Sequence, residues 1–124
     1  MEFKKQKSIF EQIADSLCER IAAGEWGVDE RIPSVRDIGL QLSVNPNTVM
    51  RSFEYLQQNG IIYNRRGVGY FVAPSAKKEI EKLHRAYFLE EELPALVQKM
   101  RMLNLSFDDL KAYAASLSDE TTNK

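Results

Sequence analysis

The chain is short of the residues from which most active sites are built. A single cysteine, Cys18, excludes an intramolecular disulfide and any cysteine cluster for a metal. A single histidine, His84, excludes a multi-histidine zinc site and leaves most nucleophile–base pairs without their base. No apolar run approaches the roughly 20 residues of a membrane span, and Met1-Glu2-Phe3-Lys4-Lys5 has no apolar stretch of the signal-peptide kind behind it. Nor is there a surplus of charge. Seventeen Lys and Arg against eighteen Asp and Glu leave a net of −1, and an average of that kind lacks the basic footprint of a nucleic-acid binder. The expectation is a cytoplasmic protein that is not an enzyme, carries no cofactor and does not engage membranes. What is present, 124 residues with 44% hydrophobic and 28% charged side chains, is enough for one domain or one domain with an appendage, and too apolar for disorder.

Ser8 and Glu11 read as a capping box opening a first helix, with Ile9, Ile13, Leu17 and Ile21 as its buried stripe. Cys18 lies beside that stripe and reads as a packed thiol. Gly24 and Gly27 end the helix, and Trp26 between them covers the edge of the core. Ser34 and Asp37 cap a second helix whose Ile38 and Leu42 face inward. Asn45 and Pro46 open a third helix, which Asn59-Gly60 stops in a left-handed turn. Only two residues separate Leu42 from Asn45, the spacing of a helix-turn-helix.

After Gly60 the pattern becomes extended. Residues 61–65 and 70–72 are β-prone runs joined by Arg66-Gly67-Val68-Gly69, a hairpin. Pro74-Ser75 marks a boundary, and helical periodicity returns beyond it. Ile80, Leu83 and Tyr87 form one apolar ladder, while Leu93, Leu96, Met100 and Leu103 form another, one residue out of register. Pro94 lies near the slip, so a kink or short break is expected there. Asn104 suits a left-handed turn, and Ser106 with Asp109 starts a last helix with Phe107, Leu110, Ala114 and Leu117 on its inner face. From Ser118 onward the chain is polar and expected to fray. The fold class is mainly α with a small β-hairpin: a winged helix-turn-helix domain over 8–73, then a two-helix dimerisation segment over 74–118.

The third helix decides the function. Val49, Phe53 and Leu56 take its inner face. Asn47, Thr48 and Arg51 sit near its N-terminus, where recognition helices meet base edges. Arginine suits guanine O6/N7, asparagine adenine N6/N7, and threonine a thymine methyl or a phosphate. Arg65 and Arg66 at the hairpin, with Gly67 and Gly69 permitting close backbone approach, suit a wing on the minor groove or the backbone. Arg36, in the first turn of helix two, reaches the backbone beside the groove. The charge average also dissolves on inspection. From Arg31 to Val72 there are five arginines against Asp37 and Glu54, a net of +3, while the part from Ala73 onward is net −1.

Three ordered motifs carry a resemblance: Pro33-Ser34-Val35-Arg36, then Val44-Asn45-Pro46-Asn47-Thr48-Val49-Met50-Arg51, then Arg65-Arg66-Gly67-Val68-Gly69-Tyr70-Phe71-Val72. Together they resemble the GntR-family winged-helix domain, and the Asn-Pro-Asn-Thr-Val element with the short C-terminal part resembles its YtrA-like subfamily. That resemblance implies a bacterial transcription regulator, usually a repressor, binding a palindromic double-stranded operator as a homodimer and often controlling a transporter operon. It places Arg36, Asn47, Thr48, Arg51, Arg65, Gly67 and Gly69 at DNA-contacting positions. Tyr70 departs from the threonine that many relatives carry.

The C-terminal helices show more apolar surface than a lone pair can keep in water. A palindrome needs a two-fold reader, so this surface is expected to be the dimer interface, through Ile80, Leu83, Tyr87, Leu93, Leu96, Met100, Phe107 and Leu110. Folding back onto the winged domain is the alternative. A small-molecule effector stays unidentified, since two helices scarcely enclose a ligand-sized volume unless two protomers combine. Glu90-Glu91-Glu92 reads as a solvated face and His84 as a polar edge. The rival function is a winged helix that binds protein instead of DNA.

Overall fold

Ser8 closes the N-terminus of the first helix as its spacing predicts. Its hydroxyl accepts from the Glu11 N–H, and the Glu11 carboxylate accepts from the Ser8 N–H. A computed structural model describes the backbone of residues 6–122 and the side chains of 6–118; the N-terminal Met1–Lys5 reading lies outside it. Helix α1 (Ile9–Ala22) buries Ile13, Ala14, Leu17, Cys18 and Ile21. Ile9 does not join the stripe. It is the first helical residue, overhangs the core and is 58% exposed.

Helix α2 (Val35–Leu42) is boxed by Ser34 and Asp37. Ile38 points inward, but Leu42 is 38% exposed. Its inward place falls to Gly39, which is buried and against which the next turn closes. The Val44 N–H donates to the Gly39 carbonyl at 2.9 Å, and a Cβ at 39 would stand 3.0 Å from the Val44 oxygen. Ser43 turns the chain in the left-handed region at φ 55°. Helix α3 (Pro46–Gln58) starts on the Asn45 side chain, which accepts from the Asn47 N–H at 2.8 Å. It lays Val49, Ser52, Phe53 and Leu56 against α1 and α2. The one buried polar side chain among the described residues, Ser52, is satisfied, donating to the Phe10 carbonyl at 2.6 Å.

Strands β1 (Ile62–Arg65) and β2 (Gly69–Val72) pair antiparallel, with Tyr63 opposite Phe71 and Arg65 opposite Gly69. Sequence periodicity missed a third partner. Residues 29–32 run beside β2, with Asp29 N–H donating to Val72 O, Val72 N–H to Glu30 O and Ile32 N–H to Tyr70 O at 2.8–3.0 Å. Arg31 thereby pairs with Phe71. The alternation puts Ile32 in the core and Arg31 on the opposite face.

Helix α4 (Ala76–Tyr87) adds Ala76 and Ile80 to that same core, with Leu83 packed against it. Ile80 and Leu83, expected on a dimer face, are thus used inside the protomer. The compact unit accordingly runs through Ala86, past the expected boundary at 73. His84 meets Asp15 of α1 at 3.5 Å, and the Asp15 carboxylate also accepts from Lys7.

A second unit holds the described residues from Tyr87 onward. The register slip near Pro94 produces no break. A π-helical turn, Phe88–Glu92, leads directly into α5 (Leu93–Met102), with the Leu93 N–H reaching back five residues to the Phe88 carbonyl. A proline has no N–H for the carbonyl four residues before it, so widening the preceding turn is a helical solution. Asn104 adopts φ 56°, and Ser106 with Asp109 boxes the start of α6 (Phe107–Thr122), which continues beyond Ser118 instead of fraying there. Phe107, Leu110 and Leu117, read as an inner face, are exposed in the single chain.

Burial pushes the Cys18 thiol from its ordinary 9.0 up to about 12, with nearby Asp15 adding to the rise. The neutral thiol is therefore favoured in the folded state. Its contribution is complete below pH 9 and is lost as pH climbs toward 12. At pH 11 the wild type should have lost about 2–3 kcal/mol more than Cys18→Ala relative to pH 8. Urea titrations of both proteins at the two pH values check this, and parallel losses would mean the thiol is not shielded.

Candidate nucleic-acid interface

The first turns of α3 present the side chains suited to base reading. Asn47 is exposed, and its side-chain amide has no protein hydrogen-bond partner among the described residues. Thr48 is half-buried, its carbonyl accepting weakly from the Ser52 hydroxyl at 3.4 Å. Arg51, one turn on, is exposed but not loose: its guanidinium stacks on the Phe10 ring at 4.5 Å, and Phe10 meets Tyr55 edge-on. The stem of Arg51 is thus steered by α1, a contact across 41 positions that no local pattern announces.

The hairpin is tied to this helix through its other face. Tyr70 packs edge-to-face on Phe53, ring centroids 4.9 Å apart, so the position of the wing is set by the inner side of α3. Arg66, Gly67 and Val68 form the tip, closed by the Val68 N–H donating to the Arg65 carbonyl at 2.8 Å. Gly67 needs its φ of +78° for that turn and has open space where a Cβ would be. Arg65 lies over Phe71 at 5.3 Å, and Phe71 stacks on Tyr63. The Tyr63 hydroxyl donates to Asp29 at 2.8 Å, which holds its proton more firmly than usual. Arg36 is exposed in the first turn of α2. The predicted residues therefore occupy three stations on one compact unit: Asn47, Thr48 and Arg51 on α3, Arg36 on α2, and Arg65, Arg66, Gly67 and Gly69 on the wing. Among the described residues no cluster of acidic, histidine or cysteine side chains could hold a metal ion, and no helix is long and apolar enough to cross a membrane.

Two capped helices joined by a three-residue turn, Ser43-Val44-Asn45, with an arginine-bearing hairpin behind the second, define a winged helix-turn-helix protein of the DNA-binding class. Residues 9–72 match the bacterial regulatory proteins of the gntR family, and the chain belongs to that family. It is 34% identical to the HTH-type transcriptional regulator YhcF of Bacillus subtilis over 88% of each chain. It is 26% identical to the HTH-type transcriptional repressor YtrA of the same organism, over 89% of this chain and 84% of that one. Among solved structures it resembles a GntR-family transcriptional regulator from Bacteroides thetaiotaomicron, with TM-score 0.79 and 38% identity over 92% of this chain and 99% of that one. The chain is a transcriptional regulator with a DNA-binding helix-turn-helix, and its relatives are regulators, not enzymes.

Proposed function

We propose that this regulator is a homodimeric repressor of a palindromic operator, with α3 in the major groove and the wing on the minor groove or backbone. The observation that carries the reading is the N-terminal face of α3. Asn47 is exposed and uncommitted, Thr48 stands beside it, and Arg51 is held ready on Phe10. The repressor sense is supported by the similarity to YtrA. A transporter operon as target, and a cytoplasmic location where the chromosome is read, follow from the family resemblance. Dimerisation is supported by exposed apolar side chains on the second unit, including Leu96, Phe107 and Leu110. Tyr87, Leu93 and Met100 complete the proposed interface, from which Ile80 and Leu83 drop out.

The test is binding to duplexes from a random-pool selection, measured as a function of salt. Affinity should fall steeply, with a log–log slope of about −0.9 per neutralised phosphate. Arg51→Ala should cost roughly 1–3 kcal/mol on the selected sequence and relax its specificity, whereas Arg65→Ala should weaken selected and random DNA alike. Retention of both affinities by Arg51→Ala would refute α3 as the reading helix. A wild type that binds no duplex would favour a protein-binding winged helix instead.

A further inference from the structure

Gly69 is placed among the DNA-approaching residues by its motif, yet the space beside it is already occupied. A Cβ built at 69 would stand 2.7 Å from Nε of Arg31 and 3.4 Å from its Cζ and Nη2. The φ of +146° already calls for glycine at 69, and an arginine from outside the hairpin lies across the space a Cβ would take. The backbone brings that arginine there. Arg31 pairs with Phe71 as a third extended segment beside β2. Residues paired in register share a face, as do residues two apart along a strand. Arg31, Phe71 and Tyr63 therefore form one row, and Gly69 and Arg65 form the next row toward the tip. Arg31 reaches forward from its own row over Gly69, while Arg65 reaches back over Phe71 at 5.3 Å. Two guanidinium groups are thus laid on one face of the wing, on the opposite side from the core.

The electrostatics point outward. Arg31 is exposed, and no ion pair within 4.0 Å joins it to a carboxylate among the described residues. The neighbouring carboxylates have other work. Glu30 accepts from the Gly27 N–H, Asp29 from the Tyr63 hydroxyl and Asp37 from the Ser34 N–H. Arg31 also lines an open cleft of about 650 Å³ shared with Ser34 and Asp37 at the start of α2, in the turn that also carries Arg36. It therefore stands between the wing and the start of α2, two stations proposed to meet the DNA backbone.

We infer that Arg31 is a further DNA ligand, a phosphodiester-binding arginine held in position by the glycine at 69, so that Gly69 acts through Arg31 and not by admitting the DNA backbone. The inference rests on the DNA-binding reading and adds to it a contact blind to sequence. Arg31→Gln keeps the stem and removes the charge. At 0.1 M salt it should weaken selected and random duplexes equally, by about eight-fold, and reduce the salt slope by about 0.9. Arg31→Lys should keep the slope. Gly69→Ala, which pushes the side chain away, should reproduce the loss of slope in the wild type and add nothing to it in Arg31→Gln. Those measurements are made below the melting temperature of each variant, since the φ of +146° at Gly69 also strains an alanine. An unchanged slope in Arg31→Gln, with or without a fall in melting temperature, would overturn the inference, while a normal Arg51→Ala response would leave the DNA reading standing. Loss of salt-dependent binding in the wild type would instead remove that reading and this inference with it.

Discussion

Phe53→Ala is expected to destabilise the winged unit by about 3–5 kcal/mol, the range for emptying a fully buried phenylalanine site. Phe53 is wholly buried on the inner face of α3, and its ring is also the platform for Tyr70 of the wing. The cavity would therefore open where helix and hairpin meet, in the buried cluster that also holds Ile38, Leu56 and Val72, and close-packed interiors relax only partly into such a space. For a unit of this size each kcal/mol corresponds to roughly 4–8 °C, so the melting temperature should fall by at least about 12 °C. Phe53→Leu keeps most of the apolar volume and forfeits the edge-to-face contact, with an expected loss on the order of 1 kcal/mol. Thermal melts followed by circular dichroism decide the matter. A drop below about 5 °C for the alanine variant would show that the wing is anchored elsewhere.

The second large effect concerns the proposed assembly. Phe107 and Leu110 stand one turn apart on α6, and Phe107 is 73% exposed in the single chain. Placing carboxylates there, as Phe107→Asp with Leu110→Asp, would bury charge in any interface they form. On the proposed dimer the double variant should run as a monomer in light scattering. Its affinity for a two-half-site palindrome should fall by about 10²–10⁴, the gain from linking two binding events, while affinity for an isolated half-site stays unchanged. A variant that remained dimeric, or a monomer that kept full affinity for the palindrome, would place the interface elsewhere. The same logic fixes where a truncation belongs. A cut after Ala86 spares the core, whereas one after Ser75 would remove Ala76 and Ile80 from it.

The features legible in the residues alone are local. The boxes at Ser8–Glu11, Ser34–Asp37 and Ser106–Asp109, the Asn45 cap, the tight turn between α2 and α3 and the glycine-cornered hairpin all stand where residue type and spacing put them. Each rests on a side chain meeting backbone within four residues, or on a residue's own φ preference. Asn47, Thr48 and Arg51 were legible for the same reason, since their position follows from the start of one helix. The remainder depends on long-range packing. Ile9 and Leu42 fit the apolar period yet lie at helix ends beyond the reach of the core. Ile80 reads as a free apolar rung and is claimed by the winged unit. Arg51 on Phe10, the pairing of residues 29–32 with β2, and Arg31 over Gly69 join residues separated by about forty positions. A periodic pattern records which face of an element is apolar, not which distant side chain will fill it. The near-neutral charge makes the same point. As an average it argued against DNA; the sequence already separates a +3 segment from Arg31 to Val72, and the fold adds that Arg31 and Arg65 lie on a single face of the wing.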